Sequence, residues 1–185
     1  MKPIFQKSFL LALIFIVSYS CCYRGKSSDG GFPRRPIKQF PQKNVSVGGI
    51  DTLAVYKLNL IYSFNPYTKE YSYYEKDEKN TFPNTSYLKF YPNNKFGYFV
   101  IPKSDTAKLS RAHFNPQKAI MGYYYLDGND IKIKTSFIGQ CELVVLKSHS
   151  KIIGDSIIES DKRKGRIYIK QNLPKDFFTN WKPDW

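Results

Sequence analysis

Histidine, cysteine, methionine and tryptophan are all scarce in this chain: 185 residues include 2 His, 3 Cys, 2 Met and 2 Trp. Cys21, Cys22 and Cys141, with His113 and His149, fall at no spacing that builds a zinc site, so no metal is expected. A Gly-x-Ser-x-Gly elbow and a Cys–His pattern are both missing, which removes the usual signatures of nucleophilic hydrolysis. Acidic residues are few, 15 Asp and Glu against 29 Lys and Arg, giving a formal charge of +14. Such a surface favours anionic partners and says nothing about fold. No helical period is sustained anywhere. The longest apolar run, Phe9 to Val17, falls well short of the roughly 20 residues that span a bilayer.

What the chain has in quantity is Tyr and Phe, 15 and 14 residues, in short alternating runs. Between Ala119 and Gln171 these runs read as successive strands: AIMGYYYL, IKIKTSF, CELVVLK, KIIGDSIIES and GRIYIKQ. In the second run Ile131, Ile133 and Phe137 share one face, and Lys132, Lys134 and Ser136 the other. That period of two marks a half-buried strand. Asp127-Gly128-Asn129 supplies residues that tolerate the positive φ of a tight hairpin.

Residues 1–20 place Lys2 and Lys7 before the short apolar run, with Ser18-Tyr19-Ser20 ahead of Cys21. The order matches an export signal. Its removal takes away two lysines and no acid, lowering the charge from +14 to +12. Residues 21–50 are rich in Pro, Gly, Ser and basic side chains, without periodicity, and are expected to form a basic tether. The folded domain is expected over residues 51–185.

Within that domain, Tyr56, Leu58 and Leu60 alternate with Lys57 and Asn59, and the even face is placed inward. Leu88 and Phe90 point the same way in a hairpin turned by Pro92-Asn93-Asn94. Pro102–Lys118 reads as a long loop with a helical turn near Thr106–Ala112, of the length that often forms a lid. The terminal Phe177, Phe178, Trp181 and Trp185 are expected to pack across one end of the sheet. Eight or nine antiparallel strands bury one face most simply by curling into a barrel. The fold class is therefore all-β, a single antiparallel meander closing into a barrel of about eight strands.

Two resemblances follow from these residues. Cys21 directly after Ser20 resembles the lipobox of bacterial lipoproteins, which implies a lipid anchor, palmitate or a similar acyl chain, on Cys21. An ordinary signal-peptidase cut after Ser20 is the alternative. Residues 51–185, with FYPNNKFGYF, GYYYLDGNDIKIK, IIGDSIIES and the closing NWKPDW, resemble small exported bacterial proteins of the lipocalin-like kind. The resemblance implies a barrel with one interior and a cell-envelope, membrane-anchored location. No binding residue is carried over from it.

No catalytic residue is assigned. His113 sits in the long loop and His149 in an apparent Ser-His-Ser turn, while Asp127, Asp130, Glu75, Asp77 and Glu78 are explained by turns and solvated loop. With Cys21 lipidated, Cys22 and Cys141 could pair, although Cys141 in a strand-like run reads more simply as a buried free thiol. Lys162, Arg163, Lys164 and Arg166 form a basic turn suited to anionic lipid or glycan. The expected function is a non-enzymatic envelope lipoprotein, without cofactor. Its barrel would bind a small apolar or amphipathic ligand through Tyr56, Leu58, Leu60, Leu88, Phe90, Ile131, Ile133 and Phe137. A structural or interaction module with a filled barrel core, contacting an envelope protein or an anionic glycan or lipid, is the alternative. Nucleic acid is not an expected partner, and a monomer is expected.

Overall fold

The computed structural model describes residues 35, 37–40, 49–79, 81–160, 163–178 and 181–185, with the side chains of residues 73–75 left aside. Nine strands follow in chain order: β1 (Val55–Phe64), β2 (Tyr71–Lys76), β3 (Asn84–Tyr91), β4 (Lys95–Pro102), β5 (Ile120–Asp127), β6 (Asp130–Gly139), β7 (Glu142–Ile153), β8 (Ser156–Ser160) and β9 (Lys164–Gln171). Every pairing between them is antiparallel. β9 returns to pair along β1, so β1 and β3 to β9 close an eight-stranded ring. The remaining strand, β2, interrupts the simple meander. It pairs with β1 from Leu60 to Phe64, whereas β3 pairs with β1 only at Tyr56 and Lys57.

The turns are set by residues able to hold a left-handed backbone. Asn93 and Asn94 (φ 62° and 59°) join β3 to β4, and Gly128 (φ 61°) leads the β5–β6 turn. Two consecutive positive φ values give a turn whose twist suits the flanking strands, and a leading glycine does the same in its relative. The same geometry recurs at Gln140 and Cys141, φ 49° and 70°. Cys141 therefore sits at an exposed hairpin tip, not inside a strand, and it is disulfide-bonded. The expectation of a buried free thiol is overturned. The other two cysteines, Cys21 and Cys22, lie outside the described residues, as does the rest of the signal region.

Inward residues meet in one cluster: Tyr56, Leu58, Leu88, Phe90, Phe96, Tyr124, Leu126, Ile131, Ile133, Ile152, Ile157 and Tyr168, with Ile50 joining where the chain enters the domain. Leu60 is not among them. A register shift between Leu58 and Leu60 opposite β9 inserts one extra residue, so Ile61 takes the inward place. A bulge reverses the alternation beyond it. Past the shift, Tyr62 lies across Gly165, where an added Cβ would come within 2.1 Å of its ring.

A second core lies outside the ring. Val55, Tyr87, Phe99, Ile101, Phe114 and Ala119 form it, with Leu109, Leu173, Phe177, Phe178 and Trp185 packed against them. The segment expected as a lid is three short 3-10 turns (Lys103–Lys108, Arg111–Phe114, Pro116–Lys118) that press the fully buried Phe114 onto Tyr87 and Phe99. The carboxy-terminal residues cover this outer face of β3 to β5, not the end of the sheet. Trp185 Nε1 donates to the Gly122 carbonyl at 3.0 Å, and Lys95 Nζ donates to that of Pro183 at 3.2 Å.

Beneath them Lys89, only 2% exposed, donates to the carbonyls of Thr52 and Ala54 at 2.7 and 3.1 Å. Its ammonium lies 3.8 Å from the centre of the Phe178 ring. Burial pulls its pKa down to about 8, with Asp51 opposing. The carbonyl oxygens and the ring face also favour the charged form, which limits the fall.

Candidate functional site

The two ends of the ring differ. At the end where β3 turns into β4 and β5 into β6, the interior is filled with aromatic side chains. Phe90 packs edge-on to Tyr56 and Tyr124, at 5.8 and 5.0 Å between ring centres, and against Phe96 at 5.2 Å. Toward the other end, where β6 turns into β7 and β8 into β9, the interior opens into a cavity of about 1230 Å³. Eight-stranded barrels have room either to fill or to hold one small ligand. This one does the first in one half and leaves space for the second in the other.

The cavity has two unlike walls. Leu88, Phe96, Tyr98, Ile133 and Phe137 from β3 to β6 supply an apolar side. Ser148, Glu159, Lys164 and Arg166 from β7 to β9 supply a polar side. Strand pairing explains the placement: Glu159 opposes Arg166 one step from the pair Ser160–Gly165, and both share the inward parity of Ile157 and Tyr168. Arg166 Nη1 donates to Glu159 Oε2 at 3.2 Å, with the arginine side chain 49% exposed toward the opening. Burial pulls the Arg166 guanidinium down, but Tyr168, Glu159 and Tyr98 more than offset this, and its pKa stands above the usual value.

Among the described residues five buried hydroxyls, those of Thr85, Ser86, Tyr91, Ser150 and Tyr168, have no hydrogen-bond partner, and Ser86, Ser150 and Tyr168 share the inward parity of the cavity lining. Each of these three lies two residues along its strand from a cavity-lining residue, respectively Leu88, Ser148 and Arg166. Tyr168 is held well above the ordinary phenol range, chiefly by burial, with Tyr98 and Glu159 adding and Arg166 opposing. Ser86 is near enough to ease that shift without meeting Tyr168 in hydrogen-bond geometry. A buried hydroxyl left without a partner costs about 1–3 kcal/mol.

Of the eight interior residues read from the sequence, Leu88, Ile133 and Phe137 line the cavity. Tyr56, Leu58, Phe90 and Ile131 belong to the packed half, and Leu60 to neither. Phe96, Tyr98, Glu159 and the cavity role of Arg166 were not foreseen. Alternation in FGYFVI and SIIES offered the signal, since one face of each run carries these residues. Of the basic turn, Lys164 lines the opening, Arg163 is exposed beside it, and Lys162 lies outside the described residues.

Of the remaining candidates, His149 lines the cavity and the others stand apart from it. His113 Nδ1 lies 3.0 Å from both the backbone nitrogen and the hydroxyl of Ser110, and its Nε2 is 3.6 Å from Asp105. Those bonds cap a short 3-10 turn at the surface. His149 is part of β7, which runs unbroken from Glu142 to Ile153, so the expected Ser-His-Ser turn is a strand; the turn comes at Gly154 instead. Asp77 is buried and paired with Lys103 at 3.9 Å, which corrects the expectation of solvated loop. Asp127 faces Asp130 across the β5–β6 turn and pairs with Lys132 at 3.7 Å. Among the described residues no group of His, Cys, Asp and Glu could hold a metal ion, and no helix is long and apolar enough to cross a membrane.

No family model, curated protein or solved structure matches this chain. The class that its fold and site define is a closed eight-stranded antiparallel barrel with one filled half and one open half.

Proposed function

We propose that the chain is a non-enzymatic, membrane-anchored lipoprotein of the cell envelope whose open half-barrel binds a single amphipathic molecule. The observation that carries this reading is the cavity of about 1230 Å³ with an apolar wall on β3 to β6 and a charged wall on β7 to β9. Ligand sites combine mostly apolar linings with a few placed polar groups. A hydrocarbon tail fits against Phe96, Ile133 and Phe137. Lys147, Lys164 and Arg166 outnumber Glu159 on the lining, which favours an anionic head.

Location rests on the export-like residues 1–20, on the lipobox-like Cys21, and on a disulfide at Cys141, since disulfides persist in oxidising compartments. Thioether lipidation would occupy the Cys21 sulfur, leaving Cys22 as the one cysteine free to bond Cys141. The rival reading, a structural module contacting another envelope protein, draws support from the packed half alone.

Thermal unfolding of the full chain with dodecyl phosphate, dodecyl maltoside and dodecane separates the readings. Dodecyl phosphate is expected to raise the midpoint most and dodecane least, through linkage of binding to folding. No shift with any of the three contradicts ligand binding.

A further inference from the structure

Nine large apolar side chains are exposed among the described residues, and their distribution is uneven. Only Leu53 and Ile153 lie toward the filled end; the other seven lie toward the open end of their strands or connections, and two of them, Phe82 and Leu146, line the cavity. Tyr67 in the β1–β2 connection is 87% exposed, Phe82 before β3 is 62%, and Val145 and Leu146, on opposite faces of the half of β7 nearer the β6–β7 tip, are 40% and 53%. Scattered single apolar residues on a surface need no explanation, but a grouped set does. Basic side chains share the rim: Lys147 and Lys164 line the mouth, and Arg163 is exposed beside them.

The path of the amino-terminal segment adds an independent indication. Lys134 Nζ donates to the Lys38 carbonyl at 2.7 Å, and Ser136 Oγ donates to that of Arg35 at 3.3 Å. Phe40 meets the Tyr125 ring at 6.3 Å. Followed from Phe40 back to Arg35, the chain climbs β6 from the filled end toward the open end. The disulfide-bonded Cys141 stands at the tip of that same hairpin.

We infer that the open end is a docking face for an anionic lipid bilayer, so that the cavity mouth is pressed toward the membrane and its ligand is exchanged there. The exposed Tyr, Phe, Val and Leu side chains would enter the headgroup region while Arg163 and Lys164 meet lipid phosphate. Amphipathic surfaces bind anionic membranes by that combination. The orientation of the face stands on the structure alone; exchange of a ligand through it rests on the function proposed above.

The test compares single tryptophans at the two ends of the full chain, Val145→Trp at the open end and Ile153→Trp at the filled end. Both carry the same amino terminus and the same Trp181 and Trp185 background. The chains are reconstituted with vesicles of phosphatidylglycerol and phosphatidylcholine whose acyl chains are brominated. Quenching above background is expected to be several-fold stronger for Val145→Trp. It should fall when Arg163→Glu and Lys164→Glu are added, and fall again as salt is raised. Equal quenching at both ends, stronger quenching for Ile153→Trp, or none at either end overturns the docking face. Quenching as expected with no dodecyl phosphate stabilisation keeps the face and removes the ligand. Dodecyl phosphate stabilisation without the end-to-end difference removes the face and keeps the ligand.

Discussion

The filled half and the open half of this barrel are built from the same strands, yet they answer to different demands. In the filled half, inward positions carry Tyr56, Phe90, Tyr124 and Ile131, all nearly inaccessible, with Phe90 packed edge to face against Tyr56 and Tyr124. In the open half other inward positions of the ring carry Phe137 and Thr135 on β6, Ser148 on β7, Glu159 on β8 and Arg166 on β9. The alternation continues, but the side chains no longer reach one another across the interior. The lesson is that one barrel can place its stability at one end and its recognition at the other.

Breaking that comparison starts with size of effect. Phe90→Ala, at the centre of the aromatic cluster, is expected to lose about 3–5 kcal/mol in chemical denaturation. Phe137→Ala, partly exposed at the opening, should lose under about 1 kcal/mol. Equal losses would mean that the interior is uniformly packed. Gly165→Ala is the next largest, because its Cβ would strike the Tyr62 ring; a loss of about 1–3 kcal/mol is expected. Tyr62→Leu should recover part of it.

A pH series sharpens the account of the outer core. Lys89 has a folded pKa of about 8 against 10.5 unfolded. Between those values the unfolded chain holds the extra proton, so stability rises with pH across about 8 to 10, by up to about 3 kcal/mol. Tyr87, pushed up to about 12 by burial and Asp77, acts oppositely, as do Tyr124 and Tyr168. Above pH 10 the unfolded chain loses those protons first and stability falls. A stability maximum near pH 10 is expected by denaturant titration, and Lys89→Met should abolish the rising limb. The smallest effect belongs to Arg166→Leu. Stability should change by less than about 1 kcal/mol, while affinity for dodecyl phosphate drops about tenfold, equivalent to about 1.4 kcal/mol.

Much of the architecture was legible in the chain, and the reasons for the exceptions are physical. Strand faces followed from a period of two, and the Asn93-Asn94 and Gly128 turns from residues that tolerate positive φ. Leu60 was misplaced because the bulge falls where Leu60, Ile61 and Tyr62 are apolar in succession, so the shift of face leaves no mark in the pattern. Gln140 and Cys141 carry positive φ without being residues that favour it, so the hairpin tip was hidden and the cysteine misread. Phe177, Phe178 and Trp185 were correctly assigned to packing, but which face they cover depends on Phe114, a single aromatic in a polar loop. The cavity was the least legible feature. Whether inward side chains meet depends on how far apart the strands carry them, and that is a property of the closed ring.

The measurement that bears most directly on the division into two halves is a methyl-resolved NMR titration of the full chain with dodecyl phosphate. Shifts confined to the cavity-lining Ile61, Leu88, Ile120, Ile133 and Leu146, with Leu58, Ile131 and Ile157 unmoved, are the predicted result. Shifts spread over both sets, or absent from the first, would contradict it.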